Sequence, residues 1–193
     1  MNVYDSILSR RSIRRFKQEE IPLELIKKIV NAARLAPSAA NLQPIDYLVI
    51  SDKNICSKIF ETISWAGYIK PKWTPSPQER PVVYIILLNK QPENKWFLRD
   101  VSLASENIVL TAEEEGIGSC ILLNINRDKI KQILELPEKI IVDSIIALGY
   151  KGEKSVVEDL KDSVEYWKDE DNIMHVPKRK LDEILYINAY RKK

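Results

Sequence analysis

The sequence predicts a single α+β domain with about four or five strands set among helices. Short runs rich in aliphatic and β-branched residues alternate with longer segments whose apolar residues recur every three to four positions. No internal repeat and no low-complexity tract interrupts this alternation. At 193 residues the chain is long enough for one domain, spanning 1–193, with a sizeable core.

The elements follow in order. Val3, Ile7 and Leu8 share one helical face over residues 2–9, which feed directly into a basic cluster. Pro22 opens a stronger helix through Leu25, Ile26, Ile29, Val30 and Ala33, and Pro37 stops it. Tyr47–Ser51 reads as a short buried strand. Helical spacing returns over 54–66 through Ile55, Ile59, Ile63 and Trp65. Pro71, Pro75, Pro77 and Pro81 then exclude a regular element, so 65–81 is expected to be a loop or lid. Val82–Leu88 is a continuous apolar run suited to a central strand. Residues 99–115 give the longest helical pattern, apolar around much of its circumference, as in a helix buried between layers or subunits. Gly116-Ile117-Gly118 caps it, and Ser119–Leu123 reads as a strand. A helix over 128–135 precedes Pro137, and Ile140–Leu148 is the last strong strand. Residues 158–172 are charged and read as irregular, and a short helix starts near Leu181 and runs past Leu185.

Composition limits the function. A net charge of +2 gives no global basic field, which argues against a nucleic-acid binder. Two distant cysteines and one histidine supply neither a disulfide framework nor a zinc site. No apolar run is long enough to span a membrane, and the N-terminus lacks a signal-peptide core, so a cytoplasmic protein with reduced thiols is expected.

Three motifs carry chemistry. The first is Arg10-Arg11-Ser12-Ile13-Arg14, three guanidinium groups and a hydroxyl within five residues. The second is Pro37-Ser38-Ala39-Ala40-Asn41-Leu42-Gln43-Pro44, and the third is Pro177-Lys178-Arg179. Phosphate recognition favours forked, permanently charged donors, which arginine supplies better than lysine. Taken alone, each motif has a plainer reading: a solvated helix end, a helix-stop loop, a basic tail. Arg15 reads as surface, and Asp100 as a helix-start residue favoured by the dipole. Asn107 reads as a structural hydrogen-bond former, Cys120 as buried and inert, Cys56 as half-buried, and His175 as structural. Trp73 reads equally well as a loop anchor or as a substrate-stacking lid residue.

Taken together and in order, these motifs resemble the nitroreductase family of FMN-dependent oxidoreductases. With them go Asp100, Ala104 and Asn107 ahead of the long helix, Gly116-Ile117-Gly118-Ser119-Cys120, and Gly149-Tyr150. The likeness covers nearly the whole chain. It implies an α/β/α sandwich around a mostly antiparallel sheet, an intertwined homodimer, and FMN at the subunit interface. By the same resemblance, Arg10, Arg11, Ser12 and Arg14 would contact phosphate and ribityl groups, with Lys178 and Arg179 completing the phosphate site. Pro37, Ser38 and Ala39, with Asn41 and Gln43 nearby, would approach the flavin from the partner. Gly118, Ser119, Ile121, Leu122 and Leu123 would pass the ring, the Leu123 backbone facing N5. Trp65, Tyr68, Lys70 and Trp73 would shape the substrate pocket. The implied activity passes a hydride from NAD(P)H through flavin N5 to a small electron-poor acceptor, a nitroaromatic, quinone or enone. The alternatives are reductive dehalogenation or flavin breakdown on the same scaffold, or a non-enzymatic flavin carrier or sensor. The sequence has no GxGxxG fingerprint, so a nicotinamide donor would bind transiently against the flavin.

Overall fold

In the computed structural model, which describes residues 2–190, the four strong runs of the sequence form one antiparallel sheet. Its strands are β1 (Ile45–Ile50), β2 (Val83–Asn89), β3 (Ile117–Leu122) and β4 (Ile141–Tyr150), in the order β1-β2-β4-β3. All seven residues of β2 are buried, which is why that run is apolar without alternation: it lies inside the sheet, covered on both faces.

Among the described residues six α-helices accompany the sheet: α1 (Val3–Ser9), α2 (Leu23–Arg34), α3 (Lys53–Phe60), α4 (Phe97–Glu114), α5 (Arg127–Ile133) and α6 (Leu181–Ile184). One face packs Ile86, Ala147 and Cys120 against Ile59 and Phe60 of α3 and Ile130 of α5. The other packs Ile85, Leu87 and Leu148 against Ile29 of α2 and Val101, Ala104 and Ile108 of α4. The α/β/α layering is thus present within one chain. Gly149 of β4 lets the N-terminal segment cross close by, since a Cβ there would come within 2.8 Å of the Phe16 ring.

Two readings are corrected. The helical spacing over 54–66 breaks at Phe60, leaving Trp65 outside the helix. Backbone pairing pulls the chain out of the helix: Asn126 N–H donates to Thr62 O at 2.8 Å and Ser64 N–H to Asn124 O at 3.0 Å. Local periodicity cannot register such a pairing with a segment 60 residues on. The second correction concerns 158–172. A small sheet of β5 (Ser155–Asp159), β6 (Trp167–Lys168) and β7 (Met174–Lys178) brackets it, in the order β5-β7-β6. β5 and β7 run parallel, and β6 joins β7 antiparallel over two residues.

Side chains hold this second sheet. His175 lies 3.1 Å from Glu158 and 3.0 Å from Asp169, and its ring stacks on Trp167 at 4.2 Å. Trp167 Nε1–H donates to Glu158 at 2.9 Å. His175 therefore has the structural role read from the sequence, in a specific clamp.

Candidate functional site

Residues 10–16 lie alongside β3. Ser12 bridges Ser119 in parallel, and Ile13 N–H donates to Ser119 O at 2.8 Å. Ile13 is buried over Gly118, where a Cβ would approach Ile13 Cβ to 3.0 Å. Gly118 and Ser119 are therefore buried beneath the basic segment, which they seat. Arg11 donates through Nη2 to Leu8 O at 2.7 Å and through Nη1 to Arg10 O. Its Nε is buried without a partner. Burial and then the neighbouring Arg10 lower the Arg11 pKa, with Glu113 opposing them. Two guanidinium groups held side by side in a half-buried setting suit a multiply charged anion.

Arg14 is fixed from behind. Its backbone N–H donates to Glu153 Oε1 at 2.5 Å, and its guanidinium lies 4.6 Å from the Tyr166 ring centre. Glu153 is almost fully buried and faces Lys168 Nζ at 3.6 Å. Burial lowers the Lys168 pKa, with Glu153 opposing it. Arg15 turns the other way, pairing with Glu79 at 3.5 Å and lying 5.2 Å from Trp73. It therefore contacts the 65–81 segment rather than standing as free surface.

A cleft of about 490 Å³ opens beside Arg14. Its wall includes Ile121, Leu122 and Leu123 at the end of β3, Trp65 and Lys70 of the 65–81 segment, and Tyr166. Ile121 and Leu123 are exposed there and give the cleft an apolar wall. Arg14, Lys70 and Lys72 supply three positive charges to the lining, and no carboxylate is among the lining residues. Tyr68 packs edgewise at 5.0 Å from Tyr166, beside the cleft. Trp73 sits between Arg15 and Lys168, the latter 4.8 Å away, which makes it the anchor of the two readings. Cys120 is buried, and burial raises its pKa, which disfavours the reactive thiolate.

The Pro37–Gln43 loop lies elsewhere. Ala39 N–H donates to Asp100 Oδ1 at 3.0 Å, and Ser38 Oγ accepts from Gln43 N–H at 3.1 Å. Ala40, Asn41 and Gln43 all hold positive φ, at 49°, 55° and 48°, a strained conformation for side-chain-bearing residues. Asp100 is near the start of α4, whereas Glu113, which acts on Arg11, is near its end. Thirteen residues of helix separate them by about 20 Å. Within one chain, the loop and the arginine cluster therefore sit at opposite ends of α4.

Lys178 and Arg179 form a third group. Met174 N–H donates to Lys154 O at 3.0 Å, next to the residue that holds Arg14. Lys178 lies four residues further along β7, about 13 Å on. Arg179 is exposed and donates to Glu183 O at 3.1 Å.

Sequence reasoning missed Tyr166, Glu153 and Lys168, all in or near the segment read as irregular. It also missed the tie from Asp100 to the Ala39 backbone. The Asp100 tie had a trace, a carboxylate in the first turn of a long helix. For the other three, an isolated aromatic or charge in a charged run carries no local signal.

The Nitroreductase family model matches residues 7–150. A putative NADH dehydrogenase/NAD(P)H nitroreductase from Methanothermobacter thermautotrophicus is 32% identical over 168 residues, with 84% of each chain covered. One of the same description from Archaeoglobus fulgidus is 36% identical, covering 79% of this chain and 87% of that one. An iodotyrosine deiodinase from Thermotoga neapolitana is 26% identical, covering 77% and 88%. Among solved structures, an FMN-dependent nitroreductase from Clostridium difficile R20291 superposes with a TM-score of 0.70 at 26% identity, covering 96% and 98%.

Proposed function

The chain belongs to the nitroreductase family of oxidoreductases, and from that premise we propose that it binds FMN and passes a hydride from NAD(P)H to a small electron-poor acceptor in the cleft beside Arg14. The carrying observation is that cleft, which joins a guanidinium of the early cluster, the exposed apolar end of β3 and the proline-rich segment. The residues fit the group. The phosphate carries up to two negative charges, and Arg10, Arg11 and Arg14 offer charge-assisted donors. Ile121 and Leu123 offer apolar contact to a flat ring.

When bound, FMN supplies two-electron chemistry, accepting hydride at N5 and giving it up to the acceptor. This chain's residues do the positioning. Glu153 holds the Arg14 backbone, Tyr166 holds its guanidinium plane, and the chain at Leu123 would present its backbone toward N5. Trp65 and Lys70 bound the space left for acceptor.

The roughly 20 Å along α4 between Asp100, which ties the loop, and Glu113, which acts on Arg11, supports a homodimer in which the loop of one subunit covers the flavin held by its partner. Exposed Tyr4, Ile7 and Leu8 on α1, and Leu98 and Leu103 on α4, provide apolar surface for that contact. Lys178 and Arg179 would reach a phosphate the same way. Among the described residues no helix is long and apolar enough to cross a membrane.

The test is anaerobic addition of NADH or NADPH to FMN-loaded protein, followed by a nitroaromatic. Bleaching of the flavin band and its return on adding acceptor are expected; a band that neither nicotinamide bleaches would refute the reading. The deiodinase relative supports a second reading, reductive removal of halide from a halophenol. Halide release without nitro reduction would favour it over the first.

A further inference from the structure

The flavin reading gives Lys70 a place on the cleft beside Arg14 but no use for its charge, and it does not use Lys72. Both line that cleft. Their placement follows from their neighbours. Ile69 and Trp73 pack against the core on either side of them, and Ile69 N–H donates to Ala66 O at 2.9 Å. Between these two anchors the lysines flank Pro71 and stay exposed. Their Cα atoms are at most about 7 Å apart, since only two residues of chain separate them.

No carboxylate is among the lining residues, and among the described residues neither lysine forms an ion pair. Acidic groups of the neighbouring segments are committed elsewhere. Glu153 is almost fully buried and faces Lys168, Glu61 faces Arg80, and Glu79 faces Arg15. The positive rim is therefore local, on a chain whose net charge is only +2. A cleft with charges of one sign and partly apolar walls focuses its field and concentrates molecules of the opposite charge. A neutral acceptor gains nothing from that field.

We infer that the acceptor taken by this cleft is an anion, an electron-poor arene whose carboxylate faces Lys70 and Lys72 while its ring occupies the space the flavin leaves. The inference rests on the flavin reading above and goes beyond it in naming the charge of the acceptor. The carboxylate serves recognition alone. The nitro group takes up one hydride from the flavin and one proton from solvent, becoming a nitroso group and releasing water.

The probes are 4-nitrobenzoate and 4-nitrobenzyl alcohol, similar in size and different in charge. Each is titrated by calorimetry into oxidised, FMN-loaded protein without nicotinamide, so that binding is read apart from turnover. The benzoate should bind roughly three- to tenfold tighter at low salt, the range that one or two exposed charge pairs supply. Raising ionic strength from about 0.01 to about 1 M shortens the Debye length from about 30 to about 3 Å and should erase the preference. The double variant Lys70→Gln, Lys72→Gln should erase it too; both side chains are exposed, so the fold should survive. Equal binding of the two probes, or a preference that survives the double variant, overturns the inference. The lysines could instead serve the phosphates of the nicotinamide donor. Slower flavin bleaching by NADPH in the double variant, with the benzoate preference intact, would show that and would also overturn it. Failure of both nicotinamides to bleach the flavin overturns the reading beneath it, whatever the calorimetry shows.

Discussion

Arg14 and Arg15 are adjacent, equally charged and differently employed. Arg14 lies over Tyr166 and lines the cleft, while Arg15 is committed to Glu79 and Trp73. A charge-assisted hydrogen bond contributes about 1.5–3 kcal/mol, so Arg14→Ala should weaken FMN binding roughly 10- to 100-fold. Arg15→Ala should leave the FMN dissociation constant nearly unchanged and instead raise protease sensitivity in the 65–81 segment. Fluorescence titration of flavin and limited proteolysis separate the two outcomes. Equal FMN losses would contradict the division of labour. The sequence suggested a phosphate grip for the cluster, the expectation that the FMN titration tests. The split between its last two arginines was not legible there, because it depends on Tyr166 and Trp73, which arrive from distant segments.

The elements carry different degrees of sequence signal. Strands β1 to β4 were legible because each is a run dense in apolar residues, and β2 is buried along its whole length. The β5-β7-β6 sheet was not, because its strands are short and charged and are held by the His175 clamp rather than by an apolar face. The clamp predicts a pH dependence. Asp169 and Glu158 raise the His175 pKa; His175 lowers that of Asp169, and Trp167 and then His175 lower that of Glu158. His175 therefore stabilises fully below its unfolded pKa, and that contribution is lost as pH rises through its higher folded value. The carboxylates contribute above their unfolded pKa values and lose that contribution as pH falls through their lower folded ones. Amide exchange at Val176 should accelerate at both ends of this window, and His175→Gln should remove the alkaline limb. Gly149 makes a second prediction at this scale. A methyl there meets Phe16 Cβ at 2.8 Å, so Gly149→Ala should cost about 1–3 kcal/mol of stability in urea denaturation. It should also loosen the segment that carries the arginines.

The molecule as a whole is organised by the length of α4. It holds Asp100 and the strained Pro37–Gln43 loop at one end, and Glu113, with Arg11 in its field, at the other. The sequence suggested that the motifs serve one site, but not their distribution, since only the folded helix shows that one chain keeps Asp100 and Glu113 about 20 Å apart along α4. The proposed flavin seat shared between subunits would resolve that separation, and mixed dimers test it most directly. One chain carries Arg10→Ala and Arg14→Ala; the other carries Asp100→Ala, which releases the loop. If each seat takes arginines from one subunit and the loop from its partner, the mixed dimer has one doubly damaged seat and one intact. Titration should then find one FMN bound per dimer with the parent's affinity. If each seat were built within a single chain, both would be damaged, and finding no FMN bound at that affinity would contradict the account.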